Sequence, residues 1–194
     1  MARTGERKAQ ILQMLAQMLE NPASEKVTTA ALAAKLEVSE AALYRHFSGK
    51  AQMFEGLIEF IEETLFALVN KITTEEKSGS RQIEAIVGVL LTFAQKNRGM
   101  TRVLIGDALV HENERLQARI NQLLDRLEAA LKQAVRFGVT QNELVADVDA
   151  AACANLILSY VTGRWHQFAK SGFRRDPVEQ WNRQWIQIMQ GVAA

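Results

Sequence analysis

The sequence predicts an all-α protein, on three observations. Its two prolines, Pro22 and Pro177, fall at breaks between apolar stripes rather than inside them. No stretch alternates apolar and polar residues in the period of two that a half-buried strand needs. Apolar side chains instead recur three and four positions apart through most of the 194 residues.

The elements follow in order. A first helix over about 6–20 carries Ile11, Leu12, Leu15 and Leu19 and ends before Asn21 and Pro22. Thr28 suits the N-cap of a second, short helix with Leu32 and Leu36 on one face, which stops at Glu37-Val38. Ser39 can cap a third helix whose buried side is Val38, Leu43 and Phe47. Ser48 would cap a long helix over about 49–73, with Met53, Phe54, Leu57, Ile58, Ile61, Leu65, Leu68, Val69 and Ile72 along one stripe. The charged, Ser/Gly-containing stretch 75–80 is the clearest internal break. Further helices are expected over about 81–96, 101–110, 112–135 and 149–168, with a loop at 138–148. Asp176-Pro177-Val178-Glu179 reads as an N-cap, a first-turn proline and a capping-box acid opening the last helix.

Residues 27–50, VTTAALAAKLEVSEAALYRHFSGK, hold two short helices, a tight turn and polar and basic groups at one end. That is what a helix-turn-helix needs to read DNA. Small side chains at Ala41 and Ala42 let the third helix approach the floor of the major groove and touch thymine methyls. Glu40 can accept from a cytosine amino group, and Arg45 can donate to guanine or to phosphate. Tyr44 and His46 are phosphate donors by type, positioning the helix without reading bases. Thr28 and Thr29 stand where free backbone N–H groups and the helix dipole favour a phosphate, and Lys50 adds another phosphate contact. With Ser39, these residues form the expected DNA-binding set.

This ordered motif resembles the DNA-binding domain of the TetR family of bacterial regulators. Glu37 departs from the family, many of whose members have glycine in the turn before Val-Ser; a side chain there is tolerable unless the turn needs a positive φ. The segments VSEAALYRHF, LIEFIE and RLQARINQLLDRLEA are closer still to the branch of that family concerned with nucleoid occlusion. The resemblance implies a three-helix helix-turn-helix head at residues 1–50 and a helical regulatory and dimerisation body at 51–194. It also implies binding to specific chromosomal sites and, in the DNA-bound state, contact with the tubulin-like division protein FtsZ near the long helix and the one after it. Residues of suitable type there are Phe60, Phe66, Val89, Phe93, Lys96 and Asn97, apolar groups beside a basic and polar end that can meet an acidic tail.

The end of the chain reads as a dimer interface. Residues 149–168 are rich in small side chains that permit close helix approach, and Trp181, Trp185, Ile188 and Met189 form a stripe at helical spacing. Two large tryptophans so near a terminus belong to a core or face a partner. In TetR-like proteins the last two helices pack against the same pair of a second subunit. Leu156, Tyr160, Trp181, Trp185 and Ile188 are therefore the expected contacts of a C2 homodimer, whose reading helices reach successive major grooves of a pseudo-palindromic site.

Composition narrows the function classes. The net charge is +1, and residues 1–50 carry seven basic against five acidic side chains, so DNA affinity rests on placement and doubling and weakens steeply with salt. The single cysteine, Cys153, allows no internal disulfide and suits a reducing cytoplasm. Neither a signal peptide nor a spanning run of about 18 apolar residues is visible. The expectation is thus a cytoplasmic, nucleoid-associated protein that does not engage a membrane. His46, His111 and His166 lie far apart, and no phosphate-binding loop, metal motif or nucleophile elbow is present. No enzyme chemistry, cofactor or metal is expected. The alternatives are a ligand-responsive TetR-type repressor, for which the sequence defines no pocket, and an architectural DNA-binding dimer without partner or effector.

Overall fold

The computed structural model describes residues 4–21, 27–110 and 112–191, with the backbone alone at Thr4. Pro22, which the sequence places at a helix boundary, and His111 lie outside these residues. The helices are α1 (Thr4–Leu19), α2 (Thr29–Lys35), α3 (Glu40–Tyr44), α4 (Lys50–Glu75), α5 (Gly79–Lys96), α6 (Arg98–Leu104), α7 (Glu114–Thr140), α8 (Ala150–Lys170) and α9 (Trp181–Met189), with a 3-10 turn at Asp107–Leu109. No strand occurs among the described residues, and no helix there is long and apolar enough to cross a membrane.

The chain packs as two compact units. One comprises residues up to Ile61 together with Asn97–Ile120; the other comprises Glu62–Lys96 and the residues from Asn121 on. α4 and α7 each contribute to both.

In the first unit α1 packs on α6 and α2, and α2 on α3. The stripe predicted for α1 is buried at Ile11, Leu15 and Leu19, and that of α4 at Met53, Phe54, Leu57, Ile58 and Ile61. α6 approaches α1 closely because Gly99 has no side chain: a Cβ there would lie 1.9 Å from the Ala16 carbonyl oxygen. Arg102 secures the same contact from the next turn, donating to the Leu19 carbonyl at 3.1 Å while its Nε holds Asp107 at 2.8 Å.

In the second unit α5 packs on α8. Trp165 fills this seam, fully buried, and its indole N–H donates to the Leu90 carbonyl at 3.1 Å, so the ring adds no unpaired donor to the core. The start of α5 meets the end of α7 through two glycines, with a Cβ on Gly79 falling 2.1 Å from the Gly138 nitrogen. Glu143 fastens this corner by accepting from the Ser80 amide and the Ser78 hydroxyl, each at 2.9 Å. The Ser80 amide in particular holds its carboxyl below the usual carboxylate range.

Several boundaries differ from those expected. α7 continues to Thr140, through residues expected to begin a loop, because Ala134, Val135 and Gly138 are buried and packing continues the helix. The last helix starts at Trp181, not at Asp176. Asp176 does receive the Val178 amide on its side chain (3.0 Å), as a capping residue would. The Arg164 guanidinium, however, takes the carbonyls of Asp176, Pro177 and Glu179, which a helix would need for its own ladder. Gln180 then adopts φ +68°. Within the predicted α4 stripe, Leu68 is 40% exposed rather than buried.

Candidate nucleic-acid interface

The two short helices are built by their caps. Thr28 accepts from the Ala31 amide at 3.1 Å and Ser39 from the Ala42 amide at 3.3 Å, each satisfying an N–H that a short helix leaves open. α3 ends at Tyr44 because the His46 and Phe47 amides both turn back onto the Leu43 carbonyl. Leu32, Ala33, Leu43 and Phe47 are buried and half-buried Val38 lies beside them in the sequence, so the helix pair has an apolar inner side as expected.

The turn between the helices carries strain. Glu37 has φ +54°, the left-handed region in which a side chain costs roughly 1–2 kcal/mol. A glycine in this position would carry no such cost. Glu37→Gly relieves that cost, less about 0.4–1 kcal/mol of added freedom in the unfolded chain. A gain of about 0.5–1 kcal/mol is expected, seen as a thermal midpoint raised by about 1–4 °C with DNA affinity unchanged. A lower midpoint would show that the glutamate side chain stabilises the turn.

One face of the pair is tied together by its polar groups. The Thr29 hydroxyl donates to Glu40 at 2.6 Å and accepts from Tyr44 Oη at 3.4 Å. Three of the expected DNA-contact residues thus form one cluster that fixes the angle between the helices. One of the two Glu40 oxygens is thus already engaged within the protein. Thr28, Ser39, Glu40, Ala41 and Arg45 are exposed, as is Tyr44 at 48%.

Two members of the expected set are less free than the sequence implies. His46 is half-buried, and its Nδ1 is enclosed without a hydrogen-bond partner among the described residues, so that nitrogen does not face a phosphate. Lys50, expected as an open phosphate contact, forms an ion pair with Glu112 and lies 5.6 Å above the Phe54 ring. Nothing in the local sequence could foretell a partner sixty-two positions away.

The residues expected to meet a protein partner stand as follows. Phe60, in the first unit, is 47% exposed on α4, and half-buried Asn97 precedes α6 without capping it through its side chain. In the second unit Phe66 is covered by the Arg126 guanidinium, 3.8 Å from the ring centroid. Val89 is half-buried and Lys96 exposed at the end of α5. Phe93 is only 6% exposed and fills the core, which corrects its assignment as a contact: it shares the inward arc of α5 with Ile86 and Leu90, and residues three and four apart on a helix point the same way.

α9 is held to α8 by aromatic packing. The Tyr160 ring stacks on Trp181 with centroids 5.8 Å apart, its hydroxyl donates to Gln184 at 2.8 Å, and Trp185 leans on Trp181 at 5.3 Å. Leu156 (63% exposed) and Ile186 (60%) remain outside this cluster. Ile186, which the sequence reading missed, lies off the Trp181–Trp185–Ile188 stripe. Met189, part of the stripe, is buried.

A capped helix pair with an exposed Tyr-Arg end, in a chain whose described residues form helices and no strand, fits the helix-turn-helix class of DNA-binding proteins. Residues 17–57 match the family of bacterial regulatory proteins of the tetR type, and residues 77–192 match the SlmA-like tetracyclin repressor-like C-terminal domain. The chain is 52% identical over 184 residues to the nucleoid occlusion factor SlmA of Alteromonas mediterranea, covering 95% of this chain and 94% of the relative. It is 50% identical to that of Idiomarina loihiensis, with 95% and 93% covered. A TetR transcription regulator from Haloarcula marismortui shares the fold at TM-score 0.82 and 15% identity, with 98% and 100% of the two chains covered. The chain belongs to the SlmA branch of the TetR family.

Proposed function

We propose that this chain is a nucleoid occlusion factor: a homodimer that binds specific chromosomal sites and, when DNA-bound, antagonises FtsZ assembly so that division is blocked over the nucleoid. The observation that supports it most is that the likeness to nucleoid occlusion factors runs through the second unit as well as the helix-turn-helix. TetR-type regulators resemble one another in the DNA-binding part whatever they respond to, so similarity in the rest is what speaks for a particular role.

In this reading residues 1–50 bind DNA and residues 51–194 provide regulation and dimerisation. Leu156 and Ile186 are the apolar groups a second subunit would cover. The reading helices of the dimer would then enter major grooves about 34–36 Å apart. The protein works by binding rather than catalysis, in the cytoplasm and on the nucleoid. DNA is its activating ligand.

A genome-wide map of binding by crosslinking and sequencing tests the first half. Many dispersed sites, sparse around the replication terminus, are expected, whereas one or two sites beside its own gene would indicate a local repressor. Sedimentation of FtsZ polymers tests the second half. Phe60→Ala and Lys96→Glu are expected to leave DNA binding unchanged and to reduce polymer disruption about tenfold or more, in line with loss of an aromatic anchor or reversal of a charge at an interface. Full disruption by both variants would move the partner surface elsewhere.

A further inference from the structure

We propose that Glu112 restrains DNA binding, because its carboxylate and a DNA phosphate compete for the same Lys50 ammonium. This rests on the reading above that the chain binds DNA and that Lys50 is one of its phosphate contacts.

Lys50 is the first residue of α4 and follows the reading helix by six positions. A cation at a helix N-terminus opposes the helix dipole, so the charge of Lys50 is unfavourable to α4 and an anion beside it offsets that effect. Glu112 is that anion. It lies in the stretch between the 3-10 turn and α7, its backbone N–H donating a hydrogen bond to the Leu109 carbonyl at 2.9 Å. The pair is sheltered but not sealed: the lysine side chain is 21% exposed and the glutamate 11%. A phosphate approaching α3 and the start of α4 therefore meets an ammonium that is reachable yet already neutralised.

Neighbouring contacts already do the structural work. One turn along α4, Glu55 binds Arg115 at 2.6 Å, and Arg119 donates to the Glu55 carbonyl at 3.4 Å. These hold α4 against the beginning of α7 without Lys50 or Glu112. The distinctive feature of the outer pair is that it occupies a cation of the DNA-binding region. With seven basic and five acidic side chains in residues 1–50, each phosphate contact matters. Removing Glu112 should act as though one contact were added.

Counterion release provides a readout that mere stabilisation would not move. Each phosphate neutralised steepens the dependence of log affinity on log salt by about 0.9. A duplex is selected from a random pool by the wild-type full-length chain, and its affinity is measured between roughly 50 and 200 mM salt. Glu112→Gln is expected to bind about 3- to 10-fold more tightly at the low-salt end, with a slope steeper by about 0.9 for each protomer bound. Glu55→Gln removes one negative charge from the neighbouring ion pair with Arg115, on α4, without releasing Lys50, so it should keep the wild-type slope. Glu112→Asp, which retains the charge but shortens its reach, should shift both readings in the direction of Glu112→Gln by less. In a Lys50→Met background the effect of Glu112→Gln should vanish.

An unchanged slope in Glu112→Gln, an equal change in Glu55→Gln, or a gain that survives Lys50→Met overturns the proposal while DNA binding stands. Failure of the wild-type chain to enrich any duplex overturns the DNA-binding reading and the proposal together.

Discussion

Arg45→Ala is expected to abolish site-specific DNA binding while leaving helicity and thermal midpoint at their wild-type values. Arg45 is exposed at the C-cap of α3, so its removal opens no cavity and leaves no buried partner unsatisfied. Its guanidinium is the side chain on this surface best matched to guanine or phosphate oxygens by a two-pronged hydrogen bond. A good bidentate base contact is worth about 1–3 kcal/mol, and the proposed dimer would lose it twice, a fall in affinity of roughly 30-fold or more. Binding isotherms on selected and scrambled duplexes would separate the two roles. Loss confined to the selected duplex marks a base contact, and equal loss on both marks a phosphate contact. Retained affinity on both would remove Arg45 from the interface.

The second large effect concerns folding. Gly99→Ala places a methyl carbon 1.9 Å from the Ala16 carbonyl oxygen and 3.1 Å from the Leu19 Cβ. The first neighbour is backbone in the last turn of α1, so no rotamer change can clear it; the two helices must separate. Separation would open space around Ile11, Leu15 and Leu19, all nearly inaccessible in this packing. Overpacking typically costs 1–3 kcal/mol even where side chains can yield, so about 3 kcal/mol or more is expected here. In a chain of this size that lowers the thermal midpoint by about 6–12 °C, measurable by circular dichroism. A shift under about 2 °C would mean that α1 and α6 are not in backbone contact. DNA affinity should fall in parallel, since α1 also packs on α2.

How far these features were legible beforehand depends on the range of the interaction. The caps at Thr28 and Ser39, the buried Leu43 and Phe47 and the exposed Arg45 follow from patterns spanning four residues or fewer. The stripes of α1 and α4 were legible for the same reason, because a helical period repeats locally. Glu37 was recognisable as an anomaly, but whether it was strained depended on φ, which the neighbouring caps and helix packing impose. Phe93 could not be told from a surface aromatic, since α5 is apolar over about half its circumference and only its packing decides which half is inside. Ile186 was missed for the complementary reason: it stands off the helical stripe and is exposed only because the aromatic cluster turns it away from α8.

What the sequence determined by itself is the helical class, the position and capping of the two short helices α2 and α3, and the chemical character of their outer surface. These are consequences of periodicity, cap chemistry and side-chain type, which act within a turn or two of the chain. Tertiary structure alone decided that Lys50 is held by Glu112, that Arg164 denies a helix to residues 176–179, and that Gly79 and Gly99 are points of backbone contact. Each of these joins groups between twelve and more than eighty residues apart in sequence. Such pairings arise when burial brings separate helices together, and no local pattern encodes which groups then meet.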